Sequence, residues 1–128
     1  MRILVADDHE MVRRGVIRLL KSEANWSLCG EAADGSEALL KAQTLRPDLV
    51  LMDISMPGLT GLETASLIRQ AVPETKVLIM SQNDPARMLP ACLEAGAEGC
   101  IDKGRLFVEL VKTIKEIESQ SVGGRGGP

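Results

Sequence analysis

The sequence predicts a doubly wound α/β fold, a five-stranded parallel sheet with helices on both faces. Three observations predict it. Five short apolar runs alternate with five amphipathic stretches. The runs are aliphatic and largely unbroken, as strands covered on both faces are. Right-handed crossovers then leave only a few doubly wound strand orders.

The strands come first. "RILVA" begins at Arg2, "SLCGEA" at Ser27, "DLVLMD" at Asp48, "KVLIMS" at Lys76 and "GCIDK" at Gly99. The second is the weakest, because Gly30 and Glu31 interrupt it.

The helices follow from spacing. Val12, Val16, Leu19 and Leu20 form one apolar stripe, and Ala38, Leu39, Ala42 and Leu45 a second. Leu62, Ala65, Leu67 and Ile68 form a third, and Leu106, Leu110, Ile114 and Ile117 the last. Asp34 with Glu37, and Thr60 with Glu63, have capping-box spacing. Gly96 after "CLEA" is a helix stop. Before it, Asp84 can cap a fourth helix with Pro85 at its first position. Pro90 then falls inside that helix and removes a backbone hydrogen bond. The fourth helix is therefore expected to be short, and either kinked or late-starting near Pro90. Residues 1–119 form one domain, and 120–128 read as a flexible Gly-rich tail or linker stub.

Composition narrows the function. The chain has 128 residues, enough for one core, and that core must be aliphatic: there is one Trp, one Phe and no Tyr. The net charge of −3, with both signs mixed, argues against a nucleic-acid or membrane surface. No apolar run approaches the roughly 20 residues of a membrane span. The N-terminus is no signal peptide. Cys29, Cys92 and Cys100 show no disulfide or zinc spacing and read as small buried thiols of a cytoplasmic protein.

Ligands of such sheets bind beyond the C-terminal strand ends. There the first strand delivers Asp7 and Asp8, the third Asp53, the fourth Ser81 and the fifth Lys103. At about 4 Å and an effective dielectric near 20, one carboxylate pair costs about 4 kcal/mol. Lys103 offsets one charge. Either carboxylate pKa values rise or a divalent cation fills the gap. An oxygen ligand set favours Mg²⁺, which leaves places for waters and a phosphoryl group. The set suits phosphoryl transfer to a carboxylate. Asp53 is the nucleophile, Asp8 and Asp7 hold Mg²⁺, Lys103 pairs with the acceptor, and Ser81 donates a hydrogen bond to a phosphoryl oxygen. Ser55 and Asn83 flank the acceptor and are candidates for tuning hydrolysis. His9 reads as a helix-start residue near the site rather than as a metal ligand. Met52 and Met56 read as packing residues, and Trp26 as half-buried beside the second strand.

"ILVADDHEMVRRG", "VLMDISMPGLTG", "VLIMS" and "AGAEGCIDK" resemble the receiver domain of bacterial two-component response regulators. The resemblance covers about residues 1–119 and is strongest to receivers that precede a LuxR/NarL-type DNA-binding output domain. It implies a CheY-like sheet of order 2-1-3-4-5. It implies phosphorylation of Asp53 by a sensor histidine kinase, with Mg²⁺ held by Asp7, Asp8, Asp53 and the backbone carbonyl of Ser55. Ser81 and Lys103 take the places of the family's switch hydroxyl and lysine. The domain assists its own phosphorylation and dephosphorylation but is no enzyme. A phosphorylation-dependent dimer, and an output face of helix four, strand five and helix five, also follow from the resemblance.

Two residues depart from that pattern. Cys100 stands where the family carries Tyr or Phe, and Gly104 follows Lys103 where many members carry proline, which implies a looser loop. Cys100 and Pro90 support a second reading, a receiver-like interaction module independent of phosphorylation. A flavodoxin-like cofactor carrier is disfavoured, because "DDHE" repels phosphate unless a metal intervenes. A dehalogenase-like phosphatase is disfavoured too, because it needs Asp-x-Asp and the chain reads Asp53-Ile54-Ser55.

Overall fold

A computed structural model describes residues 1–126, with side chains through Gln120. Its strands are β1 (Arg2–Ala6), β2 (Ser27–Ala32), β3 (Leu49–Asp53), β4 (Lys76–Ser81) and β5 (Gly99–Asp102). Its helices are α1 (Glu10–Lys21), α2 (Gly35–Leu45), α3 (Gly61–Ala71), α4 (Pro85–Glu94) and α5 (Leu106–Gly126). A 3-10 turn, Lys103–Arg105, joins β5 to α5. The strands pair in parallel in the order β2-β1-β3-β4-β5. This is the order implied by the sequence resemblance. The order reverses between β1 and β3, so the crevice expected of doubly wound sheets opens where these two neighbours end.

The sheet divides the apolar interior. Ile3, Val5, Leu49, Leu51, Leu78, Met80 and Ile101 point to one side, where Val16, Leu20, Leu110 and Ile114 of α1 and α5 cover them. Leu4, Val50, Met52 and Ile79 point to the other, under Ala38, Ala65, Ile68 and Cys92 of α2, α3 and α4. Alternate residues of each strand thus serve opposite cores. Every residue of β3 is buried, which explains its unbroken apolar run. Met52 and Met56 are packing residues of the second core.

Capping fixes the helix starts. Thr60 and Glu63 form a reciprocal capping box. Asp34 accepts from the Glu37 N–H at 2.8 Å, but the Glu37 carboxylate reaches one residue further back, to the Ala33 N–H at 2.7 Å. Gly96, at φ 94°, ends α4. Its N–H bonds the Leu93 carbonyl at 3.0 Å, and the Ala97 N–H bonds the Cys92 carbonyl at 2.9 Å. That pair of bonds is a Schellman stop, and it folds the chain directly into β5.

Three expectations change, and the weakest of the five strands is borne out. α4 does not begin late: it starts at Pro85, capped by Asp84, and runs through Pro90. Pro90 is exposed, and so is Ala86, the residue whose carbonyl would have paired with its missing N–H. Water can satisfy that carbonyl, so the helix survives. β2 is a true strand, but its register on β1 slips at Cys29, between the Ile3–Leu28 and Leu4–Gly30 pairs. An edge position tolerates this irregularity. Trp26 is buried, not half-buried, at 7% exposure. It lies in the α1/α5 core, and its indole N–H donates to Glu118 Oε1 at 3.4 Å. The segment after Lys103, expected to be a looser loop, is a 3-10 turn capped by Asp102, whose Oδ1 accepts from the Gly104 N–H at 2.8 Å. The Gly-rich segment expected at 120–128 overlaps α5 as far as Gly126, and residues 127–128 lie outside the described residues.

Candidate functional site

β1 ends against β2, where the Asp7 N–H donates to the Ala32 carbonyl at 3.0 Å. The chain then turns into α1 with His9 as the N-cap residue. The His9 side chain makes no cap bond to the helix. Its backbone N–H donates to Asp7 Oδ1 at 2.8 Å. Its ring turns back over the carboxylates, with Nδ1 3.2 Å from Asp7 Oδ1, 3.2 Å from Asp8 Oδ1 and 4.0 Å from Asp53 Oδ2.

Arg13, one turn into α1, holds the same loop from behind. Its Nη1 donates to the Asp7 carbonyl at 2.7 Å and its Nε to Glu31 Oε1 on β2 at 2.8 Å.

β3 delivers Asp53, and its position is over-determined. The next residue, Ile54, donates its N–H to the Met80 carbonyl at 2.9 Å. The Ser55 N–H reaches back to Asp53 Oδ1 at 3.3 Å. Gly61 opens α3 hard against this backbone. A Cβ there would overlap the Asp53 carbonyl oxygen and stand 2.7 Å from Ile54 Cα. Glycine is required by close approach and not by an unusual φ.

β4 ends in Ser81, one residue past Met80, the register partner of Asp53. Ser81 is fully buried, and its Oγ accepts from the Asn83 N–H at 3.0 Å. Lys103 reaches in from the turn after β5. Its Nζ lies 2.9 Å from Asp7 Oδ2 and 3.4 Å from Asp53 Oδ2, and its side chain is only 6% exposed.

Polar atoms of Asp7, Asp8, His9 and Asp53 therefore all lie within 4.8 Å of one another, and Lys103 closes the group. Asp7 and Asp53 are buried, whereas Asp8 and His9 face solvent. Burial, followed by the Asp7 charge, pushes the Asp53 carboxyl above the usual carboxylate range, and Lys103 pulls the other way. Asp7 Oδ2 and Asp53 Oδ2 are buried and accept no well-angled hydrogen bond. The lysine compensates their charge but leaves their lone pairs unfilled. A small hard cation of the Mg²⁺ kind fits that deficit, because the orphaned atoms are carboxylate oxygens.

A sequence model described as the response regulator receiver domain matches residues 3–115. The chain belongs to the response regulator receiver domain family. The response regulator GacA of Pseudomonas viridiflava is 38% identical over 115 residues, covering 90% of this chain and 54% of that protein. The oxygen regulatory protein NreC of Staphylococcus epidermidis is 37% identical over 118 residues, again 54% of its length. The chain thus spans about half the length of the curated relatives it matches. A LuxR-family response regulator from Aurantimonas superposes with a TM-score of 0.87 at 34% identity, covering 93% of this chain and 85% of that one. The receiver domain of NarL from Mycobacterium tuberculosis gives 0.84 at 34%, covering 91% and 94%. This receiver domain is therefore of the LuxR/NarL type, a signalling domain of two-component systems. Receiver domains of this family bind Mg²⁺ at an acidic pocket, and this chain carries an Asp-rich cluster. Among the described residues, no helix is long and apolar enough to cross a membrane.

The structure gathers Asp7, Asp8, Asp53 and Lys103; Ser55 bonds back to Asp53, Ser81 ends the neighbouring strand, and Asn83 bonds to Ser81. Sequence reasoning missed three contributors. For His9, read as a helix-start residue near the site, what went unread is that its ring turns into the acidic cluster. Arg13 carried no signal beyond the basic pair Arg13-Arg14. Gly61 carried a faint one, a poor helix former directly after the Thr60 cap.

Proposed function

We propose that this receiver domain is a phosphorylation-controlled switch whose phosphoacceptor is Asp53. One observation carries the reading. Asp53 is a nearly inaccessible carboxylate with one oxygen left unbonded, facing Asp7 and Lys103 at the mouth of the sheet.

In the proposed reaction Asp53 Oδ2 attacks the phosphorus of a phosphohistidine on a partner sensor histidine kinase. The phosphorus–nitrogen bond breaks and the imidazole leaves. Asp53 needs no general base, because a carboxylate is already an anion once ionised. Asp7, Asp8, Asp53 and the Ser55 backbone carbonyl would hold Mg²⁺. Bound there, the ion supplies positive charge to the transferring oxygens. Lys103 neutralises the carboxylates at rest and takes a phosphoryl oxygen afterwards. Ser81 donates its hydroxyl to another, and Ser55 and Asn83 tune the return hydrolysis.

The phosphoryl group adds up to two negative charges. Lys103 and Ser81 move toward it and carry the loops after β4 and β5 with them. The α4–β5–α5 face then changes partners, including a dimer partner and a C-terminal DNA-binding output domain. The relatives' greater length supports such a further domain. The setting proposed is the cytoplasm.

The test is Mg²⁺-dependent labelling by acetyl phosphate, or capture of beryllofluoride, in the wild type and Asp53→Asn. Only the wild type is expected to respond. Equal labelling of both defeats the assignment of Asp53. Labelling of neither favours the phosphorylation-independent interaction module, which Cys100 in place of the usual aromatic supports.

A further inference from the structure

The chain has a single histidine, and it sits at the mouth of the acidic cluster. Capping does not explain where its ring lies. His9 is the N-cap residue of α1, yet its side chain makes no cap bond to the helix. Packing does not explain it either, because 57% of the side chain is exposed. The ring instead sets Nδ1 at 3.2 Å from Asp7 Oδ1, 3.2 Å from Asp8 Oδ1 and 4.0 Å from Asp53 Oδ2.

One hydrogen atom cannot serve that position. A single N–H aimed well at one carboxylate oxygen is misdirected at the others. A cation can serve all of them, since bonds of about 2.0–2.1 Å to one ion set neighbouring donors roughly 3 Å apart. The cluster calls for a cation independently of the histidine. Asp7 and Asp53 are 0% and 2% exposed, and Oδ2 of each lacks a hydrogen bond.

We propose that His9 is a metal ligand, which adds a nitrogen donor to the carboxylates of Asp7, Asp8 and Asp53 and so selects dications of the Co²⁺, Ni²⁺ and Zn²⁺ class over Mg²⁺. The inference rests on the proposed reading of this cluster as a metal site. It departs from the expectation drawn for His9 from sequence, which placed the residue but not the direction of its ring.

The selection follows from donor chemistry. Mg²⁺ is a hard ion that takes oxygen ligands and gives up water reluctantly, so an imidazole adds little to its binding. Later first-row dications gain from an imidazole nitrogen, and their affinity for mixed nitrogen and oxygen sites rises toward copper. The ring is also held ready. The His9 N–H bonds Asp7 Oδ1 at 2.8 Å, and Arg13 Nη1 holds the Asp7 carbonyl at 2.7 Å, so little ordering of the loop remains when an ion arrives.

The test uses the metal-free full chain with His9→Ala and His9→Asn. The asparagine can cap α1, which separates loss of the imidazole from damage to the helix start. Each protein is titrated calorimetrically with Mg²⁺ and, separately, with Co²⁺. The wild type should bind Co²⁺ at least about tenfold more tightly than Mg²⁺. Both variants should lose about tenfold or more in Co²⁺ affinity and keep Mg²⁺ affinity within about twofold.

Co²⁺ is paramagnetic, and the chain holds no second imidazole. A hyperfine-shifted ring N–H proton in the NMR spectrum of the cobalt form therefore reports His9 alone. It should be present in the wild type and absent from both variants. A wild-type cobalt spectrum without that proton overturns the proposal, and so does Co²⁺ affinity that survives both substitutions. Equal weakening of Co²⁺ and Mg²⁺ overturns it too, because His9 would then only shape the loop. In each of these cases Mg²⁺ binding by the wild type leaves the proposed function standing. A wild type that binds neither ion overturns the inference together with the metal part of that function.

Discussion

Lys103 Nζ lies 2.9 Å from Asp7 Oδ2, closer than it lies to Asp53. The lysine therefore anchors on the carboxylate that the proposed reaction leaves unmodified. Removing it leaves two buried carboxylates facing each other, and losing one partner of a buried charge group costs about 3–5 kcal/mol. Lys103→Met should destabilise the fold by about that amount. Mg²⁺ should restore part of the loss, because it supplies the missing positive charge. Urea denaturation with and without Mg²⁺ measures both effects, and an ion-independent loss would count against the metal site.

Asp53→Asn should stabilise the resting fold. The folded-state pKa of Asp53 lies above the unfolded one, owing first to burial and second to Asp7. Ionised Asp53 thus opposes folding. That cost is absent below the unfolded pKa, grows as pH rises through the folded pKa, and is complete above it. The variant's advantage should be about 1–3 kcal/mol at neutral pH without Mg²⁺. It should shrink to nothing on acidification. Melting temperatures from pH 3 to about 8 test the sign, and an advantage that grew toward acid would refute it.

Gly61→Ala should cost about 2–4 kcal/mol and slow phosphorylation together. The added Cβ meets backbone on both sides, at Asp53 and Ile54, so no flexible side chain can yield. Strand end and helix start must separate, and Asp53 moves with them. Gly58, at φ 76° with open space around it, is the contrasting site. Gly58→Ala should cost about 1 kcal/mol through backbone strain and leave phosphorylation untouched. Acetyl phosphate labelling and denaturation of both variants separate the two causes.

Pro90→Ala should stabilise α4 by about 1–3 kcal/mol, because it restores an N–H for the Ala86 carbonyl and removes the ring clash. Exposure of both residues places the gain toward the lower end. Thermal melts report the total. Hydrogen exchange at residues 91–94 locates it, and unchanged protection there would show that α4 carries no proline penalty.

The fold was legible because its signals repeat. Four of the five strands end at, or just before, a polar residue that the parallel sheet sends to the same edge. That Asp7, Asp53, Ser81 and Lys103 stand at one edge was therefore legible from chain order. The direction of the His9 ring and the role of Arg13 were not, because a side chain's direction at a helix start depends on turn geometry that a linear pattern does not carry. The late start expected of α4 from Pro90 failed for a related reason. Its penalty depends on whether the orphaned carbonyl meets water, and the sequence reveals no solvent exposure.

The alternation of β5 has a mechanical meaning. Ile101 belongs to the core beneath α5, whereas its neighbour Cys100 belongs to the one beneath α4. The two helices of the proposed output face therefore sit on opposite sides of a four-residue strand and, among the described residues, share no apolar filling. A displacement of α4 can be absorbed on its own side without disturbing the packing of α5. Evolution can thus retune one surface while the other keeps its partner, and a small residue at position 100 loosens only one of them.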